Sequence, residues 1–210
     1  MAQVNPIITT PEEQFVVGES DFAFFSNYAC RIEGGAFLFC RSGRAEASVN
    51  QYQGEVRRNT MVLLLPGSVL MLTDRTEDFR VTFCAFSRDL FSEAAFRLDP
   101  SFFRALRERP ISYPPTRIVE GAAIWFQMAA YTYRDRSNVF RNTIIKNRLQ
   151  NVLLESYDKM QRFAARQPRT PEITTRQTDL FQRFVALVHE HCSQEREVSF
   201  YADKLCISTR

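Results

Sequence analysis

The chain reads as an α+β protein, an antiparallel β-domain followed by long helices, and three observations carry that reading. Short runs rich in Phe, Val, Leu and Thr, broken by turn residues, fill Asp21 to Phe86 without any persistent stripe of helical period. After Phe86 the apolar spacing changes to that of amphipathic helices, which continue to Arg166. A segment rich in proline, threonine and charge, Arg166 to Gln177, then separates those helices from a last helical stretch.

Composition bounds the function classes. A chain of 210 residues can bury one sizeable core, or one domain plus a helical appendage. Hydrophobic residues make up 45% and charged residues 24%, with 19 Phe against one Trp, so the interior is aromatic and the chain is not a disordered one. A net charge of +3 does not argue for nucleic acid, because clustering of basic residues matters more than their total. The start, Met-Ala-Gln-Val-Asn-Pro, has no basic region before an apolar run, and no stretch reaches the roughly 18 apolar residues of a membrane span. The expectation is a cytoplasmic protein with no membrane contact. Five cysteines, none in a Cys-x-x-Cys pair, are expected to be reduced, buried thiols.

In chain order, the expected strands are Phe22–Phe25, Ala36–Cys40, Ala45–Asn50, Met61–Leu65, Val69–Leu72 and Phe79–Phe86. Breaks fall at Gly34-Gly35, Arg41-Ser42-Gly43-Arg44, Gln53-Gly54, Pro66-Gly67 and Thr73-Asp74. Strands this short and evenly spaced predict a sandwich or barrel. Ala45-Glu-Ala-Ser-Val-Asn50 alternates, so Ala45, Ala47 and Val49 share one face. Small inward residues at Ala45 and Ala47, walled by Phe37, Phe39 and Phe83, can leave a hollow in a small barrel. That hollow is the candidate effector pocket, with Trp125 as its link to the helices. The alternative is a filled interior in which the Phe rings pack on one another.

Arg88–Phe96 and Pro100–Leu106 are expected short helices, the second with Pro in its first turn. In Arg117–Tyr133 the residues Ile118, Ala122, Trp125 and Ala129 recur at helical spacing. Val139–Arg166, about 40 Å long if helical throughout, carries Ile145, Leu149, Val152, Leu153 and Met160, widened by Ile144, Leu154, Tyr157 and Phe163. A helix apolar over more than one face needs more than one neighbour, so this stripe is the expected dimerisation surface of a homodimer. Basic residues on the helical pair are interspersed with acidic ones and read as a solvated face. The organisation is then residues 1–112 for the β-domain, 113–166 for the helical region, 167–177 for a linker and 178–210 for the last segment.

In that last segment Phe181, Phe184, Val185, Val188 and Cys192 form one stripe. Ser199 can cap a short helix on which Ala202 and Leu205 lie three apart. Cys206-Ile207 would be a turn with Ile207 inward, and Ser208 the cap of the helix that follows. The stretch from Phe184 to Ser208 resembles the opening of the DNA-binding domain of AraC/XylS-family bacterial transcription regulators. Its most specific part is Tyr201-Ala202-Asp203-x-Leu205-x-Ile207-Ser208. The strands around Arg57 to Gly67, with Pro66-Gly67 at the turn, resemble the cupin-type sensor domain that precedes it in many such regulators.

The resemblance implies a cupin-like antiparallel β-barrel, a long helical hairpin and a truncated helix-turn-helix segment. It implies a small-molecule effector in the barrel, a homodimer, and DNA as partner of the full-length protein, with Ser208, Thr209 and Arg210 at the edge of the DNA-contacting part. No catalytic residue, cofactor or metal is expected. Cupin enzymes hold a metal with histidines and a glutamate from two strand motifs, whereas the only histidines here, His189 and His191, lie two apart near the C-terminal end, on different faces of a helix. Two rival readings stay open: a dimerising protein-interaction domain without a small-molecule ligand, and a metal-dependent cupin enzyme.

Overall fold

A computed structural model describes residues 4–96, 98–166 and 197–208, together with residues 180, 183, 184, 187, 188, 191 and 195. It divides into two units, Met1–Met160 and Gln161–Arg210.

Strands β1 (Phe15–Ser20), β2 (Cys30–Arg31), β3 (Gly35–Ser42), β4 (Arg44–Val49), β5 (Tyr52–Arg57), β6 (Met61–Leu64), β7 (Val69–Thr73), β8 (Arg80–Phe86) and β9 (Ile111–Ser112) form two antiparallel sheets. One has the order β1-β8-β3-β6-β9 and the other β2-β7-β4-β5. The expected barrel is not closed, because among the described residues no ladder joins the sheets. Each sheet ends in a strand of only two residues, β9 or β2, too short to continue pairing around a cylinder. Beyond β9 the contact with β5 is made by side chains: Tyr113 donates its hydroxyl to the Glu55 carbonyl at 2.7 Å, and Arg57 lies over the Tyr113 ring, 5.7 Å from its centre. The chain crosses from one sheet to the other between β3 and β4 at Gly43, whose φ of +67° suits glycine and whose Cβ would fall 2.5 Å from Phe79 Cα.

Phe22–Phe25, expected as a strand, is instead a 3-10 turn over Ala23–Phe25. The Ser20 hydroxyl accepts from Phe22 N–H (3.0 Å) and the Asp21 carboxylate from Ala23 N–H (3.1 Å). Such local side-chain bonds satisfy the backbone in place of a ladder. The turn drives Phe22 and Phe25 inward, where both are buried. Strand β5 runs through Gln53-Gly54, which reads as a break in the sequence but pairs in full register with β4, Ala47 opposite Gly54.

Two apolar layers follow from the alternation of side chains along β3 and β8. Leu38, Cys40, Val81 and Phe83 face the space between the sheets, together with Ala45, Ala47 and Val49 of β4. Phe37, Phe39, Cys84 and Phe86 face the helices. Hence β3 is buried continuously from Gly35 to Cys40.

The helices over that outer face are α1 (Arg88–Ala95), α2 (Pro100–Glu108), α3 (Thr116–Arg134) and α4 (Arg141–Arg166). The Ser87 hydroxyl caps α1 by accepting from Leu90 N–H at 3.2 Å, and Asp99 caps α2 by accepting from Ser101 N–H at 2.7 Å. On α3 the buried residues are Ala122, Phe126, Ala129 and Thr132. On α4, Ile145, Leu149 and Leu153 are fully buried against the same core. Glu13 ties the bend between α3 and α4, accepting from Arg141 at 2.9 Å and from Arg136. Arg141 also lies over the Phe15 ring, 5.0 Å from its centre.

In the second unit the described helix is α5 (Val198–Leu205). Its N-cap is Glu197, with no side-chain capping bond, so Ser199 sits inside the first turn rather than at the expected cap. The linker expected at 167–177 lies outside the described residues.

Candidate functional site

The six residues expected to line one pocket lie on both sides of a sheet. The rings of Phe37 and Phe39 stack on Phe126 at 5.2 and 6.0 Å, and Trp125 meets Phe37 edge-on at 5.4 Å. Those three belong to the sheet-to-helix layer. Ala45, Ala47 and Phe83 belong to the layer between the sheets. The expected pocket is therefore corrected: β3 cannot point Phe37 and Phe39 into the space that Leu38 faces.

The space between the sheets is filled. Phe22 packs on Phe25 at 5.4 Å and against Phe83 at 5.7 Å. A void of about 10 Å³ lies there, bordered by Phe22, Leu38, Cys40, Ala47, Val56, Phe79 and Val81 among others. A void of that size holds one water at most. Burial there pushes the Cys40 thiol up to about 11, and full burial raises Cys84 well above the ordinary thiol range, so both stay protonated at neutral pH. Cys206, expected to be buried, is exposed, and Cys192 lies outside the described residues.

A larger concavity lies on the surface, a cleft of about 680 Å³ lined by Arg31, Asn50, Gln51, Tyr52, Pro66, Gly67, Ser68, Arg104, Arg107 and Glu108. The turns that shape it are held by their own bonds. Asn50, at φ +55°, accepts from Val69 N–H through its side chain at 2.9 Å and donates its N–H to the Val69 carbonyl at 2.8 Å. Gly67, at φ +86°, donates to the Ile32 carbonyl at 2.8 Å, and Ile32 N–H donates to Ser68 at 2.7 Å. Arg31 extends from the end of β2 across Gly67. Arg104 and Arg107 come from the last turns of α2, three residues apart and so on one face. No guanidinium of the three makes an ion pair or side-chain hydrogen bond among the described residues. Nothing in the sequence joined these residues except the Arg-x-x-Arg spacing of α2.

The expected dimerisation stripe on α4 also needs correction. Ile145, Leu149 and Leu153 are wholly enclosed within their own chain, and Val152 and Met160 are half-buried against the same core. Of the α4 stripe, Leu154 is 43% exposed, with Val139 and Phe140 exposed just before the helix, and a row of apolar residues lies outside on α3: Ile124 (56% exposed), Met128 (44%) and Tyr131 (74%), spaced four and three apart, with Gly121 exposed one turn earlier.

Near the C-terminal end, Tyr201 and Ala202 are buried, and the Tyr201 hydroxyl donates to the Glu195 carbonyl at 2.7 Å. Helix α5 ends at Cys206 in the left-handed conformation (φ 54°, ψ 44°), with Cys206 N–H on Asp203 and Ile207 N–H on Ala202 at 3.0 Å. This pair of bonds is a Schellman turn. Ile207, expected inward, is 40% exposed. Ser208 is exposed, while Thr209, Arg210, Phe181, Val185 and His189 lie outside the described residues. His191 meets Phe200 edge-on at 5.3 Å. Among the described residues no group of three or more His, Cys, Asp or Glu could hold a metal ion, and no helix is long and apolar enough to cross a membrane.

No protein-family model matches the chain, and no curated protein matches it in sequence. Among solved structures it is similar to an apo ToxT variant from Vibrio cholerae, at 12% identity over 93% of this chain and 71% of that one, with a TM-score of 0.46. It is similar to ToxT from Vibrio cholerae bound to (E)-4-(8-methylnaphthalen-1-yl)but-3-enoic acid, at 13% identity over 93% of this chain and 72% of that one, with a TM-score of 0.38. The third likeness is to the AraC-like transcriptional activator CuxR, at 13% identity over 84% of this chain and 58% of that one, with a TM-score of 0.44.

Proposed function

We propose that this chain is the sensing and dimerising portion of an AraC-like transcription regulator, one that governs DNA binding through its C-terminal helices. The observation that carries the reading is the Schellman turn at Cys206, which ends α5 inside the Tyr201-Ala202-Asp203-x-Leu205-x-Ile207-Ser208 pattern. A helix-turn-helix needs a short helix, one small buried residue for a close helix crossing, and an abrupt turn. Ala202, at 5% exposure, and Cys206 meet the last two requirements. In this reading Ser208, Thr209 and Arg210 open the helix that contacts DNA, and the protein works in the cytoplasm without catalysing a reaction. The second copy of a homodimer would cover the Gly121, Ile124, Met128 and Tyr131 face of α3 in place of the buried α4 stripe. An effector acts by binding one arrangement of that dimer better than another, and shifts the switch by no more than that difference in affinity.

The test is gel retardation of the duplex upstream of the gene by its whole natural product. Retardation is expected, with loss in Ala202→Arg, whose side chain cannot enter a helix crossing. A whole product that ignores duplex promoter fragments would overturn the reading. The filled space between the sheets favours a second reading, a dimerising protein-interaction domain with no small-molecule ligand. Under that reading the dimer forms and no small molecule changes it.

A further inference from the structure

We propose that the cleft bordered by Arg31, Arg104 and Arg107 binds a small dianion, a molecule carrying a phosphate ester or two carboxylates. The inference stands on the cleft's own residues and holds whether or not the chain controls transcription.

Charge carries the argument first. Three arginines line one cleft against a single lining acidic residue, Glu108. Two other half-buried arginines are ion-paired, Arg75 with Asp21 at 3.3 Å and Arg141 with Glu13 at 2.9 Å, whereas half-buried Arg148 makes no ion pair among the described residues. Arg104 is half-buried too, and it has no such partner among the described residues. Like charges held in one concavity repel, and the arrangement persists at least cost when an anion occupies it. The C-terminal end of α2 accounts for a cation at Arg107, where the helix dipole is negative, but not for Arg31, which comes from a strand.

Geometry narrows the class. Guanidinium presents paired N–H donors that match the two oxygens of a carboxylate or phosphate. Asn50 and Gln51 add neutral donors, and the Ser68 hydroxyl, on a residue 5% exposed, makes no hydrogen bond within the protein. Pro66 and Tyr52 supply apolar wall. A volume of about 680 Å³ falls in the range of small-molecule sites, between about 300 and 1,000 Å³. The turns at Asn50 and Gly67 are fixed by backbone bonds, so the site is formed before the ligand arrives. A duplex would need a basic track along an open face, and a concavity with three arginines does not provide one.

The test is calorimetric titration of the 210-residue chain at low salt with two probes, succinate for the dicarboxylate arm and adenosine 5′-monophosphate for the phosphate-ester arm. A random-sequence duplex is the third titrant. Binding of at least one small probe is expected with a Kd below about 1 mM, weakened about tenfold or more by Arg31→Gln and by Arg104→Gln. Arg117→Gln, an exposed arginine on α3 outside the cleft, is expected to leave it unchanged. Far-UV circular dichroism checks that each variant folds. Which probe binds tells phosphate from carboxylate. The proposal is overturned if neither small probe binds, if affinity survives in both cleft variants, or if the duplex alone binds. Loss of promoter retardation with probe binding intact would count only against the regulatory reading.

Discussion

Between the sheets the molecule spends its side chains on packing, whereas in the cleft beside α2 three arginines have no ion-pair partner among the described residues. The first region has Phe22, Phe25 and Phe83 in ring contact and a void of about 10 Å³; the second is an open cleft of about 680 Å³. The comparison separates two uses of concave space. A filled apolar interior contributes stability in proportion to the area it removes from water. A polar concavity with unpaired like charges contributes none, and its persistence is better explained by a ligand than by the fold. An effector between the sheets would need a hollow, and the rings of Phe22, Phe25 and Phe83 occupy that space.

The largest expected effect lies in the packed part. Leu149→Ala, at a fully buried position on α4, is expected to cost about 2 to 5 kcal/mol from lost transfer energy and the cavity left behind. Urea unfolding at two protein concentrations measures it. Because Leu149 packs inside its own chain, the loss should be the same at both concentrations. A loss that fades at high concentration would return α4 to the dimer interface and break the comparison.

Ala47→Leu tests the interior itself. With about 10 Å³ beside Ala47, three added carbons must displace Val56, Leu72 or Phe22, and overpacking of this kind costs about 1 to 3 kcal/mol. A variant as stable as the parent, or more so, would mean that a hollow exists and that the sequence-level pocket was rightly placed there.

Much of the fold was legible before any coordinates. The runs at Ala36–Cys40, Ala45–Asn50, Met61–Leu65, Val69–Leu72 and Phe79–Phe86 all became strands, and the alternation of β4 assigned Ala45, Ala47 and Val49 to the buried face correctly. Pro100 marked the start of α2. Phe22–Phe25 misled because a β-rich composition says nothing of Ser20 and Asp21 bonding the backbone locally. The pocket misled for a different reason. Ala-Phe-Leu-Phe-Cys is apolar at every position, the mark of a strand buried on both faces, so its aromatic residues could not all look into one space. The α4 stripe was read as too wide for one neighbour, whereas α1, α2, α3 and the sheet share the core that covers it. The arginine cleft was beyond reach because Arg31, Asn50, Ser68 and Arg104 meet only through tertiary folding.

The smallest expected effect has the most telling sign. Arg104→Gln removes one of three like charges and no ion pair, and like charges three or four apart on a helix cost roughly 0.2 to 0.5 kcal/mol. The variant is expected to gain a few tenths of a kcal/mol in stability at low salt, and to lose that gain at about 1 M salt, where the Debye length falls to about 3 Å. Thermal unfolding at the two salt concentrations measures it. Stability gained by deleting a residue is the mark of a group kept for something other than folding. If Arg104→Gln instead destabilises the chain by more than about 1 kcal/mol at both salt concentrations, the arginine has a packing role beside Phe102 and Phe103. The cleft would then be an incidental feature of how α2 meets the sheet.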